Sequence, residues 1–176
     1  MSDAVRPLLD TSGVVFADHD QFVIADEVTD TTDARAKGSL LEVGPGFLST
    51  FTGVSYGPVR VSVRVFTSEP ADDDGDWEVV EESTLTARAP VAVRSLDGHA
   101  VAAMDEVSAG RYRVRAHARG RDTATSLEVT KPVEDYLFHF WPAATPPDAV
   151  DLSVTTIRKT DRAWSAEPPS SSGCTP

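Results

Sequence analysis

Five arginines fall within eleven residues: Arg111, Arg113, Arg115, Arg119 and Arg121. The chain alternates around them. Tyr112, Val114 and Ala116 occupy one parity, and Arg111, Arg113, Arg115 and His117 the other, with Gly110 and Gly120 at the ends. Period-two alternation bounded by glycine predicts a β-strand with one apolar and one cationic face. A second run repeats the pattern, with Val59, Val61, Val63 and Val65 set against Arg60, Ser62 and Arg64. If the two strands are neighbours, Arg60, Arg64, Arg113 and Arg115 share one sheet face. Such a face could grip an anionic ligand, carboxylate or phosphate, through bidentate guanidinium contacts. The plainer alternative is a solvated face whose arginines pair across strands with Glu78, Glu81 or Glu82.

The acidic clusters carry less chemistry than their charge promises. Asp72, Asp73, Asp74 and Asp76 offer carboxylates of the kind calcium prefers. The EF-hand spacing fails, however: Trp77 stands where glycine is required and Ser83 where the bidentate glutamate belongs. An acidic loop between strands is expected. Asp18-His19-Asp20 could hold a metal or serve acid–base chemistry, but His99, His117 and His139 are far away in sequence, and no HxH, HExxH or Cys/His set exists. A turn is expected there. His139, between Phe138 and Phe140, reads as a core histidine. No G-x-S-x-G elbow is present, and Cys174 has no base near it in sequence. Gly44-Pro45-Gly46 lacks the lysine and helix of a phosphate loop. Trp77, Tyr136 and Trp141 could stack a sugar, although aromatics on strands more often pack inward. No catalytic residue, cofactor or metal is expected.

These residues must be positioned by strands. Runs at 14–16, 22–25, 40–43, 47–54, 59–66, 77–85, 91–93, 101–104, 110–117, 125–129, 136–141 and 150–157 read as extended, separated by turn signals such as Gly44-Pro45-Gly46, Leu96-Asp97-Gly98 and Pro146-Pro147. Tyr136–Trp141 is bulky on both faces, which predicts a central, covered strand. No long helical period appears. The expected fold is all-β: an antiparallel β-sandwich, jelly-roll or Ig-like, of about 8–10 strands. The expected domain runs over residues 14–158, after a flexible N-terminal arm at 1–13 and before a disordered Pro/Ser-rich tail at 159–176.

The chain has 176 residues, 16 Lys and Arg against 28 Asp and Glu, and a formal net charge of −12. That charge repels phosphates and argues against direct nucleic-acid binding over the whole surface. No apolar run reaches the roughly 20 residues of a membrane-spanning helix. A single cysteine and the lack of an apolar leader point to a cytoplasmic protein. Exposed edge strands leave a homodimer open.

Three local patterns, His19-Asp20-Gln21-Phe22-Val23, the valine-rich strand at 59–66 and Gly110-x-Tyr112-x-Val114, occur in the order that resembles the competence protein J family. The resemblance covers roughly residues 15–120. It implies a small bacterial β-sandwich that acts without catalysis, as an inhibitor or immunity-type partner of a nuclease. An acidic surface would be drawn to such a basic protein partner. The first contacts would then be Asp18, Asp20, Asp72, Asp73, Asp74 and Asp76.

Overall fold

The computed structural model describes residues 5–72, 75–144 and 152–160. Asp73 and Asp74, the Pro146-Pro147 connector and residues 161–176 of the expected tail, with Cys174, lie outside them. The described residues form eleven strands: β1 (Leu9–Asp18), β2 (Gln21–Ala25), β3 (Ala36–Lys37), β4 (Leu41–Gly44), β5 (Phe47–Phe51), β6 (Tyr56–Val65), β7 (Val79–Ala87), β8 (Ala92–Arg94), β9 (Gly110–Arg119), β10 (Asp135–Pro142) and β11 (Thr155–Lys159). The described residues contain no helix.

All strands belong to one hydrogen-bonded sheet in the order β11-β7-β9-β10-β6-β1-β2-β5-β4-β3, with β8 added to β2. Two expectations are corrected here. The sheet is mixed, because β10 pairs parallel to β6 from Asp135↔Arg60 to Phe140↔Val65. It is also one continuous curled sheet where a sandwich of separate antiparallel sheets was expected. The bend lies between β1 and β2, which pair only at Asp18↔Gln21 before β2 departs to pair with β5 and β8. A two-residue turn, His19-Asp20, joins them with φ of 49° and 61°. Positive φ at both central residues suits the right-handed twist of a tight hairpin.

The curl brings the two halves of the sheet face to face around one core. Val59, Val61 and Val63 of β6, Val114, Ala116 and Ala118 of β9, and Tyr136, Phe138 and Phe140 of β10 all point inward. Phe22 of β2 closes the core from the opposite wall. Its ring meets Tyr136 edge-on at 5.2 Å and Phe138 at 6.1 Å. The parities expected for the β6 and β9 runs hold, since period-two patterning is set by the pleat itself.

Several boundaries move. β1 begins at Leu9, inside the expected arm, and pairs with β6 along its whole length. β11 runs Thr155–Lys159, later than the expected 150–157 strand and one residue past the expected domain end. Residues 101–104 and 125–129 form turns and bridges rather than strands. Both are short apolar runs, which periodicity alone identifies poorly.

Candidate functional site

Arg60, Arg64, Arg113 and Arg115 do share the outer face of the sheet, but β10 separates β6 from β9, so the four do not form one cluster. Register places Arg64, His139 and Arg115 in one row, and Arg60, Asp135 and Arg119 in another. Arg115 is 5% exposed. It donates from Nε to Glu82 at 2.7 Å and from Nη2 to Glu69 at 2.8 Å, and its Nη1 lies 3.0 Å from Asp72. Trp141 lies beneath its guanidinium at 5.1 Å. Arg113 donates to the other oxygen of Glu82 at 2.7 Å and to Thr84. These two arginines are therefore paired with acidic groups of the chain itself. The cause is local: Glu82 stands directly opposite Arg115 on β7.

The segment between β6 and β7 folds over this face. Phe66 packs against His139 at 5.1 Å, Trp77 against His117 at 5.5 Å, and the two buried histidine rings touch at 4.9 Å. Asp72 anchors the segment to Arg115, while Asp76 is exposed. The aromatics are buried, as strand aromatics usually are: Tyr136 points into the core, and Trp141 lies on the opposite face under Arg115.

Asp18 and Asp20 sit at the bend. All three non-glycine residues with positive φ among the described residues, His19, Asp20 and Ser126, fall at this corner. Residues 52–55 stitch it together. Thr52 N–H donates to the Asp20 carbonyl at 2.8 Å, Asp20 N–H to Ser55 at 3.2 Å, and Ser126 N–H to Gly53 at 2.8 Å. A side chain at Gly53 would strike the Arg121 carbonyl, so the close approach needs glycine. Beneath lies Glu134, fully buried, accepting from Val54 N–H at 2.6 Å, from Gly53 N–H at 3.1 Å and from the Tyr136 hydroxyl. Burial pushes the Glu134 carboxyl up against these hydrogen bonds, and burial beside Glu134 holds the Tyr136 hydroxyl well above its ordinary range. A cleft of about 480 Å³ opens at the corner, lined by Asp20, Gly53, Glu78, Arg121, Asp122 and Lys159 among others. Sequence reading gave Glu134 and Asp122 no role, and the link of Glu134 to Gly53 and Val54 joins segments about 80 residues apart.

A second groove, of about 560 Å³, runs over the outer face past Arg60, Arg64, Trp77 and Arg119. Asp135 bridges Arg60 and Arg119, the latter at 3.0 Å. Burial alone would raise the Asp135 carboxyl, but the hydrogen bonds and charge of Arg60 and Arg119 outweigh it and hold the group below its ordinary value. A depressed carboxylate contributes stability that is present above the unfolded pKa and lost as pH falls through the folded one. Acidification below about pH 4 should therefore destabilise the wild type more than Asp135→Asn. Urea unfolding at neutral and acid pH measures this, and equal acid sensitivity in the two proteins would contradict it.

The architecture is that of an all-β protein built on one curled mixed sheet. Among solved structures, the chain is similar to ComJ from Bacillus subtilis, an inhibitor of the DNA-degrading activity of NucA, at 7% identity and a TM-score of 0.56, over 80% of this chain and 100% of that one. It also aligns with the crocagin biosynthetic gene J protein, at 12% identity and a TM-score of 0.48, over 76% of this chain and 97% of that one. No protein-family model and no curated protein matches the chain. The likeness to ComJ bears out the resemblance to the competence protein J family at the level of fold, as a single curled sheet in place of the implied sandwich.

Proposed function

We propose that the chain is a non-catalytic protein-interaction module that acts as an acidic inhibitor or immunity-type partner of a nuclease. The observation that carries this reading is the corner at the β1–β2 turn. Backbone strain concentrates where surrounding structure over-determines it, and such positions favour binding sites. Here two of the three positive-φ residues, Asp20 and Ser126, are held by backbone hydrogen bonds, with Asp18 and Asp20 at the β1–β2 turn. The net charge of −12 and the fold shared with a nuclease inhibitor support the same reading. A preorganised acidic tip meets a cationic cleft without an ordering cost, and the surrounding field speeds encounter. The second acidic element of the proposed interface is the sequence run Asp72, Asp73, Asp74 and Asp76, of which Asp76 is exposed and Asp72 is paired with Arg115.

The test is capture of partners by the tagged chain from lysate of its source cells, followed by association kinetics with whatever is retained. A basic, stoichiometric nuclease released by salt is the expected result, and its DNA-degrading activity should fall when the chain is added. Asp18→Lys with Asp20→Lys should slow association about tenfold and flatten its salt dependence. Unchanged kinetics would remove Asp18 and Asp20 from the interface, and undiminished DNA degradation would remove the inhibitor reading itself.

A further inference from the structure

β1 is a strand of ten residues that is fully paired on one side only. β6 matches it from Leu9 to Asp18, whereas β2 meets it at Asp18 alone and then turns away. Among the described residues, no other strand pairs with β1. The direction of its remaining backbone groups follows from β6. Arg60, opposite Val14, donates its N–H to the Glu134 carbonyl on the β10 side at 3.1 Å, and Pro58, opposite Phe16, has no N–H. An antiparallel ladder alternates hydrogen-bonded and non-hydrogen-bonded pairs. Val14 and Phe16 are therefore non-hydrogen-bonded toward β6, and their own N–H and C=O groups point to the open side. The side chains beside that edge are apolar and exposed: Val14 at 46%, Phe16 at 51% and Tyr56 at 48%. The Phe16 and Tyr56 rings lie 6.2 Å apart, and Asp18 stands opposite Tyr56 in register. The 101–105 segment meets β1 at the inward positions Thr11 and Gly13, on the other face of the strand.

We propose that the open edge of β1 takes an extended strand from a protein partner, antiparallel to β1, with apolar residues packed on Val14, Phe16 and Tyr56 and a basic residue against Asp18. Strand addition supplies affinity through main-chain hydrogen bonds and selectivity through alternate side chains. Both are on offer here, since Val14, Phe16 and Asp18 are successive outward positions of one strand. Charge decides the occupant. Two β1 strands paired about Val14 would set Asp10 of one copy opposite Asp18 of the other, and like charges directly opposite destabilise a strand pair. A net charge of −12 opposes self-pairing as well and draws a basic segment. The proposal rests on the interaction reading above and specifies the kind of segment such a partner would offer.

NMR titration of the isotope-labelled full chain with the synthetic peptide Lys-Thr-Val-Thr-Val-Thr-Lys tests the proposal. Its valines and lysines share one face when extended. Saturable shifts at the Ser12, Val14 and Phe16 amides are expected, with slower hydrogen exchange at Val14 and Phe16. The same peptide N-methylated at both valines cannot donate to the β1 carbonyls and should bind about tenfold more weakly or worse. Glu-Thr-Val-Thr-Val-Thr-Glu should also bind more weakly, through repulsion by Asp18. Val14→Thr combined with Phe16→Thr keeps strand-forming residues and removes apolar area, and should weaken binding about tenfold. Val28→Thr, an exposed valine on the loop after β2, should leave it unchanged. Should the double variant lose its fold, the N-methylated peptide on the wild type decides the matter. No saturation at millimolar peptide, or equal binding of the N-methylated peptide, would overturn strand addition. Protection of the Val14 and Phe16 amides without peptide would overturn the partner assignment: in a dimer it gives the edge to a second copy, and in a monomer to residues 161–176 of the chain itself. A nuclease captured and inhibited as above while the peptide fails would leave that reading standing and overturn this one alone.

Discussion

Glu81→Ala should cost the fold about 4 kcal/mol, because it strands buried donors that have no other acceptor of comparable strength. Glu81 is fully buried on β7, at an inward position between Val79 and Leu85. Its carboxylate accepts four bonds from the segment leading into β4: Ser39 N–H at 2.7 Å, the Ser39 hydroxyl at 2.8 Å, Leu40 N–H at 3.0 Å and Leu41 N–H at 2.9 Å. It is thus the clasp that holds one end of the sheet over the other. Gly38 leaves the room it needs, since a side chain there would collide with the carboxylate. Each charge-assisted bond contributes about 1.5–3 kcal/mol, and alanine cannot replace any of them. For a chain of this length the loss corresponds to a fall in Tm of about 12 °C. Glu81→Gln, which keeps one acceptor oxygen but turns an amide toward donors, should fall between the two. Urea unfolding measures the difference, and a loss below about 1 kcal/mol for Glu81→Ala would show that water replaces the clasp.

Phe22→Ala should cost about 3–5 kcal/mol by opening a cavity between the two walls of the curled sheet. Phe22 has no exposed surface, and both of its edge-on ring partners, Tyr136 and Phe138, lie on β10 at the centre of the opposite wall. Edge-to-face pairs add to the area term, so the loss exceeds simple transfer of a phenyl ring. The effect should also reach the corner site. Tyr136 carries the hydroxyl that binds Glu134, and Glu134 holds Gly53 and Val54 behind Asp20. Phe22→Leu, which refills most of the volume, should cost no more than about 1.5 kcal/mol. Calorimetry together with hydrogen exchange at Gly53 and Val54 checks both parts. Full protection at those amides in Phe22→Ala would separate the core from the corner.

The contrast between these two residues indicates what was readable from one chain. Inward parity of Val59 to Val65 and of Tyr112 to Ala118 was plain, because the pleat alternates side chains regardless of which strands are neighbours. The crowding of Tyr136–Trp141 marked β10 as covered on both sides, whereas Glu81, expected among the partners of the outer-face arginines, turns inward to Ser39, Leu40 and Leu41 because its parity on β7 is that of Val79 and Leu85. The turn at Asp18-His19-Asp20 was equally local, since a short polar run between two apolar ones marks a reversal, and the structure narrows it to His19-Asp20. These features depend on backbone sterics and burial within a few residues.

Pairing partners were another matter. Nothing in the Arg111–Arg119 run says that β10 will lie between it and Arg60, or that Glu82 will face Arg115 and absorb its charge. Register and strand order are chosen by contacts between segments separated by tens of residues, here Glu81 with Leu41 and Glu134 with Gly53. The alternating pattern therefore determined by itself that the protein is all-β, which faces are apolar and where it turns. Only the tertiary structure decided that the sheet is single, mixed and curled. It also set Arg113 and Arg115 against Glu82, the carboxylate that register places opposite Arg115 on β7.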